Sequence, residues 1–264
     1  MKVCCLSSGS KGNCTFVQTQ DAKFLIDCGL SIKETEKRLE QIGENLSNIN
    51  FILITHEHSD HIAGLSKIVN KYNIVPYIFN QNLEVMVKKT GIPASKFVLF
   101  YLNDFFISSC VVKPFLLSHD SNTCVGFSVR EKQNKFVIVT DTGYIDALHF
   151  DIFNDSDLVI IECNHNIALL QGNPNYSPAL KKRITSRQGH LSNVQCADYI
   201  QEFIKRGCKQ FVLAHLSENN NTPRVAVMEV TERLLSCDLV EGKHYYLDLA
   251  WQDRVGTLYN IIEE

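Results

Sequence analysis

The sequence predicts an α/β protein, and three observations carry that prediction. Apolar runs of strand length recur along the chain, among them Lys2 to Leu6, Cys14 to Val17, Lys23 to Asp27, Ile49 to Ile54, Lys135 to Asp141 and Asp157 to Ile161. Segments with apolar residues at helical spacing lie between several of them. The chain has 264 residues and is 45% hydrophobic, enough to bury a full core, and it reads as one domain spanning residues 1–264.

Taken in order, the first strand is interrupted by Ser7-Ser8-Gly9-Ser10-Lys11-Gly12-Asn13 and resumes at Cys14. Small residues and two glycines make a tight loop with exposed backbone, either a plain hairpin connection or an anion-binding rim of N–H groups, hydroxyls and Lys11. From Ser31 the pattern turns helical. Ser31 can cap, Glu34 stands where a capping box needs it, and Ile32, Leu39 and Ile42 share one side until Gly43. Ile62, Leu65, Ile68 and Val69 predict a helix beginning near Asp60. A strand at Pro76 to Phe79, a helix from Asn82 to Lys89 and short strands from Phe97 to Val129 follow. Gln171 to Pro178 reads as a loop, and Ser192 or Asn193 caps a helix carrying Val194, Ala197, Ile200 and Ile204. The chain then runs through a strand ending at Ala214 and a helix from Pro223 to Leu235 to a strand near Tyr245 to Leu247. His149 and His244 have no motif around them and read as structural or surface residues.

Composition narrows the function classes. A net charge of −3 gives no global basic field, so nucleic acid would have to be met by a local patch, for which Lys181, Lys182, Arg183 and Arg187 are candidates. The ten cysteines include no C-x-x-C pair and mostly sit in apolar runs, so they read as reduced core thiols. With no leader pattern and no apolar run of membrane-spanning length, the expectation is a soluble cytoplasmic protein without a membrane partner. Oligomeric state is not legible.

The densest chemistry is Thr55-His56-Glu57-His58-Ser59-Asp60-His61, directly after Phe51-Ile52-Leu53-Ile54. Three imidazoles and two carboxylates crowd one loop, which makes sense if a cation neutralises it. His56 and His58 point one way on extended backbone, and Asp60 and His61 fall on the opposite rim, so one loop could serve two metal ions. This H-x-H-x-D-H pattern resembles the metallo-β-lactamase-fold superfamily. The resemblance extends downstream to His119 after Cys110 to Leu117, Asp141 after Phe136 to Thr140, and His215 after Phe211 to Ala214. Asp27 matches the family's early aspartate, which supports the histidine loop.

The resemblance implies an αββα sandwich, two mixed β-sheets flanked by helices, with a one- or two-metal hydrolytic site. It also implies the ligand scheme: His56, His58 and His119 for one ion, Asp60, His61 and His215 for the second, and Asp141 as the bridge. An all-nitrogen-and-oxygen set accepts zinc or manganese, and the lack of a cysteine ligand fits poorly with an antibiotic-hydrolysing enzyme. Two such ions favour phosphodiester hydrolysis. Asp60 can accept a proton from the attacking water, His190 or else His165 can donate one to the departing oxygen, and Glu162 can orient these histidines.

Ser7 to Cys14, Thr140 to Gly143, Glu162 to His165 and Gly189 to Asn193 further resemble the WalJ (YycJ) family of cytoplasmic hydrolases. That narrower resemblance implies a 5′ to 3′ DNA exonuclease, with DNA preferred to RNA as the substrate. It favours the anion-binding reading of the first loop, so Ser8, Ser10, Lys11 and Asn13, with Asn164, are the expected substrate contacts. The alternatives are a small-molecule cyclic phosphodiesterase, another hydrolase of the fold, or a non-hydrolytic metal-binding module.

Overall fold

The computed structural model describes residues 1–262, so the last two positions of the expected single domain lie outside the described residues. Fourteen strands and eight α-helices are assigned among those residues. The chain divides into two compact units: Met1–Leu116 with Ser121–Asn134 and the segment from Ala250 onward, and Leu117–Asp120 with Lys135–Leu249.

The first unit opens with β1 (Lys2–Ser7), β2 (Cys14–Gln18) and β3 (Lys23–Ile26), then α1 (Ile32–Gln41) and β4 (Phe51–Leu53). It continues through α2 (Ser59–Ile62), α3 (Leu65–Tyr72), β5 (Val75–Phe79), α4 (Leu83–Thr90), β6 (Val98–Phe100), β7 (Phe105–Ile107), β8 (Cys110–Leu117) and β9 (Cys124–Glu131). The second unit carries β10 (Asn134–Val139), β11 (Leu158–Glu162), α5 (Ile167–Gly172), α6 (Pro178–Ile184), α7 (Asn193–Ile204), β12 (Gln210–Ala214), α8 (Pro223–Leu235) and β13 (Tyr246–Leu249). A last strand, β14 (Leu258–Asn260), belongs to the first unit.

Two seven-stranded sheets result, ordered β14-β1-β2-β3-β4-β5-β6 and β13-β12-β11-β10-β9-β8-β7. Both are mixed: β14, β1, β2 and β3 pair antiparallel while β3 to β6 run parallel, and β10 to β13 run parallel while β7 and β8 form a hairpin. This is the α/β class expected, two mixed sheets flanked by helices.

In the first unit Phe16, Leu25, Ile52 and Ile78 are buried with Leu39 of α1, Leu65 and Ile68 of α3 and Met86 of α4. Each such side chain contributes about 1.5–3 kcal/mol by leaving water. In the second unit β11 is buried at all five positions, which is why Leu158 to Ile161 form a continuous apolar run rather than an alternation before the strand ends at Glu162. The Phe153 and Phe203 rings stack there with centroids 3.8 Å apart.

Local signals hold at most helix starts. Ser31 accepts from Glu34 N–H, and Ser192 makes a full capping box with Gln195. Thr222 caps α8 ahead of Pro223. Three expectations change. The helix expected from Asp60 through Val69 is two helices, because the chain turns at Gly64, whose N–H donates to Cys28 O at 2.9 Å. The stretch expected as loop from Gln171 begins inside α5, which Asn166 caps through Leu169 N–H. Finally, β14, which sequence patterning did not mark, pairs with β1 and covers that sheet edge. His244 proves to be a turn residue, its Nδ1 accepting from Val240 N–H at 2.9 Å.

Candidate metal-binding site

In the first unit the donors are assembled by a hydrogen-bonded knot around Asp27. The chain leaves β3 with Asp27 in the left-handed region, φ 61°, a conformation that costs a non-glycine residue energy and persists where the surroundings enforce it. Here Asp27 N–H is held by Leu53 O at 2.8 Å. Its Oδ1 accepts from Thr55 N–H at 2.9 Å, and its Oδ2 lies 2.7 Å from His61 Nδ1. Thr55 Oγ1 stands 3.0 Å from His56 Nδ1. Both rings are therefore fixed through Nδ1, and Nε2 is the nitrogen left to ligate, the arrangement that orients metal-binding imidazoles. The His56 ring lies 4.6 Å from that of His58 and 4.1 Å from that of His61. His58 is the residue before α2, so Asp60 falls in the first turn of that helix.

The first hairpin loop reaches this cluster through Asn13. Its Nδ2 is 3.0 Å from His61 Nε2 and 3.2 Å from Asp60 Oδ2, while its Oδ1 accepts from Gly9 N–H at 2.8 Å. The contact at His61 uses the same lone pair that a metal ion would take. Approach this close needs Gly29, where a Cβ would meet Asp60 O at 1.7 Å. Of the other expected substrate contacts on this loop, Ser8 is buried, whereas Ser10 and Lys11 are exposed. The Lys11 N–H donates to Gln252 Oε1 at 3.0 Å.

In the second unit the hub is Glu162, the last residue of β11 and fully buried. Its Oε1 lies 2.8 Å from both His190 Nδ1 and His215 Nδ1, and its Oε2 accepts from Thr142 N–H at 2.9 Å and Leu191 N–H at 3.1 Å. Burial alone would push this carboxyl up, but the His190 charge and the two imidazole hydrogen bonds hold it down to about 2. For His190, burial disfavours the cation, yet Glu162 outweighs it and raises the imidazole above its ordinary value.

Asp141 and His215 leave β10 and β12 in the left-handed region, at φ 59° and 54°. His215 Nδ1 is 3.4 Å from Asp141 Oδ1, and His119 Nε2 is 3.9 Å from it. The turn after Asp141 passes so close to Ser186 that a Cβ on Gly143 would meet its carbonyl at 2.2 Å. Asp141, Glu162, His190 and His215 offer ligand atoms within 4.8 Å of one another. The His119 ring sits 5.1 Å from that of His190, with its Nδ1 3.3 Å from Gly189 O.

His165 is placed differently. It is buried, its Nδ1 lacks a hydrogen-bond partner among the described residues, and burial pushes it down to about 4 against the opposing Glu162 charge. Asn164 is also buried and donates from Nδ2 to His215 O at 2.9 Å. Sequence reasoning missed the support beneath this loop. Asn193 and Asn221 exchange amide hydrogen bonds at 2.7 and 3.1 Å, and Asn221 Nδ2 also reaches Cys163 O at 3.0 Å. The Asn219-Asn220-Asn221 run ahead of α8 was the available signal.

The donor set fits divalent cations. It is composed of imidazole and carboxylate, the rings of His56, His61, His190 and His215 are anchored through Nδ1, and the Asp141 carboxylate is buried while that of Asp60 is partly exposed. The chain matches the model for "Metallo-beta-lactamase superfamily" over residues 8–162, and it belongs to that superfamily of metal-dependent hydrolases. Within it, the chain is 33% identical over 231 residues to "Exodeoxyribonuclease YycJ" of Bacillus anthracis, covering 87% of each chain. It is also 33% identical over 241 residues to "Exodeoxyribonuclease WalJ" of Streptococcus pneumoniae, covering 90% of this chain and 89% of the relative. Among solved structures, the metallo-β-lactamase-fold protein YhfI of Bacillus subtilis matches with a TM-score of 0.73 at 17% identity, covering 98% of both chains.

Proposed function

We propose that the protein is a dinuclear metal-dependent phosphodiesterase that degrades DNA from its ends in the 5′ to 3′ direction. The observation that carries the nuclease reading is the 33% identity to relatives named exodeoxyribonucleases, spread over 87% to 90% of the chain. In this reading, residues 1–264 work as one domain, with His56, His58 and His119 holding one ion, Asp60, His61 and His215 the second, and Asp141 serving both. The ions are zinc or manganese; bound there, they supply Lewis acidity and an activated water at neutral pH.

The remaining roles belong to the chain's own side chains. Asp60 takes the proton of the attacking water. His190, its Nδ1 tied to Glu162, gives a proton to the departing oxygen. His165 is the weaker candidate, since an imidazole with its pKa near 4 is neutral at pH 7 and lacks the proton a general acid must donate. Glu162 orients both His190 and His215. Ser8, Ser10, Lys11 and Asn13 of the first hairpin loop, together with Asn164, are the contacts to the substrate phosphates. No described helix is long and apolar enough to cross a membrane, and ten cysteines kept as free thiols support a reducing, cytoplasmic setting.

The test is turnover by the purified chain with manganese or zinc. Duplex DNA labelled at the 5′ or the 3′ end, single-stranded DNA, RNA and a small bis-aryl phosphodiester are compared. Early release of the 5′ label as mononucleotide, with late loss of the 3′ label, is the expected pattern. Turnover of the small diester alone would replace DNA with a small phosphodiester as the substrate.

A further inference from the structure

The first unit contains an open pocket of about 520 Å³ beside the histidine loop, within the roughly 300–1,000 Å³ range of ligand sites. Its lining includes His58, Ser59 and Asp60 of the histidine loop, Ser66 of α3, and Lys89 and Thr90 at the end of α4. Two expected metal ligands therefore border a cavity whose other polar groups are hydroxyls and one ammonium. A cation in the last turn of a helix is ordinarily explained by the helix dipole. Lys89 does more than sit there: its Nζ reaches back to donate to Glu57 O at 3.0 Å, between His56 and His58. An ammonium has three donors and the Glu57 carbonyl takes one.

The loop that receives Lys89 is itself braced. Glu57 is buried and its Oε1 accepts from Asn122 N–H at 2.9 Å, while Asn122 Nδ2 donates to Asn82 Oδ1 at 2.9 Å just before α4 begins. Lys89 is exposed, so its charge meets solvent and ligand alike. An ammonium hydrogen-bonded to a braced loop, next to the expected ligands and with serine hydroxyls around it, is chemistry suited to a phosphate.

We propose that this pocket binds a phosphate, with its sugar, of the nucleic-acid strand being cut, and that Lys89 is its cationic contact. The inference rests on the phosphodiesterase reading and adds a subsite to it. The hydroxyls of Ser59 and Ser66 supply neutral hydrogen bonds to the same group, while that of Thr90 donates to Met86 O at 2.7 Å and only lines the pocket. The contact reads no base, so it acts alike on all sequences.

The experiment uses the full chain, wild type, Lys89→Ala, and Lys88→Ala as a control that removes the same charge from a neighbouring exposed position outside the pocket. Binding of a labelled DNA duplex to chelator-treated protein is followed by fluorescence anisotropy between 50 and 200 mM salt. Losing one phosphate contact should lower the slope of log K against log salt by about 0.9 in Lys89→Ala, with the wild-type slope retained in Lys88→Ala. With metal restored, Lys89→Ala should raise KM several-fold at nearly unchanged kcat. Duplexes with 5′-phosphate and 5′-hydroxyl ends separate the two sources of the phosphate. An effect confined to phosphorylated ends supports the pocket as a site for the terminal group, and an equal effect on both supports an internal phosphodiester. A wild-type slope and KM in Lys89→Ala, while the wild type cuts DNA, would overturn the pocket alone. A wild type that neither binds nor cuts DNA overturns the phosphodiesterase reading with it.

Discussion

The two units arrive at metal-binding chemistry by opposite routes. In the first, four donors lie within six residues of one loop, and a single carboxylate, Asp27, with Thr55, fixes two of the rings. In the second, the donors come from the ends of separate strands, and Glu162 gathers them, taking two imidazoles and two backbone N–H groups at once. A local cluster needs little support because the chain already brings its members together. A dispersed one depends on a buried hub, so damage there should spread further.

That contrast sets the order of expected effects. Asp141→Ala should do the most, abolishing turnover and sharply lowering metal content in a protein that remains folded by circular dichroism. Full activity with two bound ions would sink the bridging assignment. Next come the two supporting carboxylates, where losing a partner of a ligating histidine costs about 10- to 100-fold in metal affinity. Glu162→Gln should fall at the upper end and Asp27→Asn at the lower, as measured by competition with a chromophoric chelator. Equal losses would mean that Glu162 does not act as the hub. His190→Ala should lower kcat by about 10² to 10⁴ with metal retained, as for a lost general acid. Loss of metal instead would move His190 into the ligand set, which its place beside Asp141 and His215 makes a pointed test.

The smallest effect concerns acid stability of the metal-free protein. His165 has its folded pKa depressed to about 4 from an ordinary 6.5. The unfolded chain therefore binds the proton first, and the stabilisation is complete above 6.5 and declines as pH falls toward 4. Thermal melts of wild type and His165→Gln across that window should show a shallower decline in the variant. Parallel curves would contradict a buried neutral ring. Glu162 has the same sign at lower pH, its stabilisation being present above its ordinary 4.5 and lost as pH drops toward about 2.

The same contrast explains what was legible in the sequence. Thr55 to His61 could be read directly, since its donors are contiguous and follow a plain apolar strand. His119, Asp141 and His215 are single residues after strands, and they became legible through their order relative to that loop. The hydrogen bonds of Asp27 and Glu162 are set by tertiary placement, and the Asn193–Asn221 amide pair left only an asparagine run as a trace. Helix caps were readable because the side chain and the N–H it serves are three residues apart. The break at Gly64 was not, because it follows from packing of Gly64 against the Cys28 and Leu30 carbonyls rather than from the apolar stripe on either side.

The most direct test of the central claim, that the two sets of donors work as one dinuclear centre, is the number of metal ions bound per chain. The purified protein would be saturated with zinc or manganese, freed of excess ion, and measured by elemental analysis for wild type, Asp141→Ala, His56→Ala and His215→Ala. Two ions in the wild type are predicted, with one ion or fewer in each single-ligand variant. A wild type that holds a single ion, or variants that keep both, would contradict it.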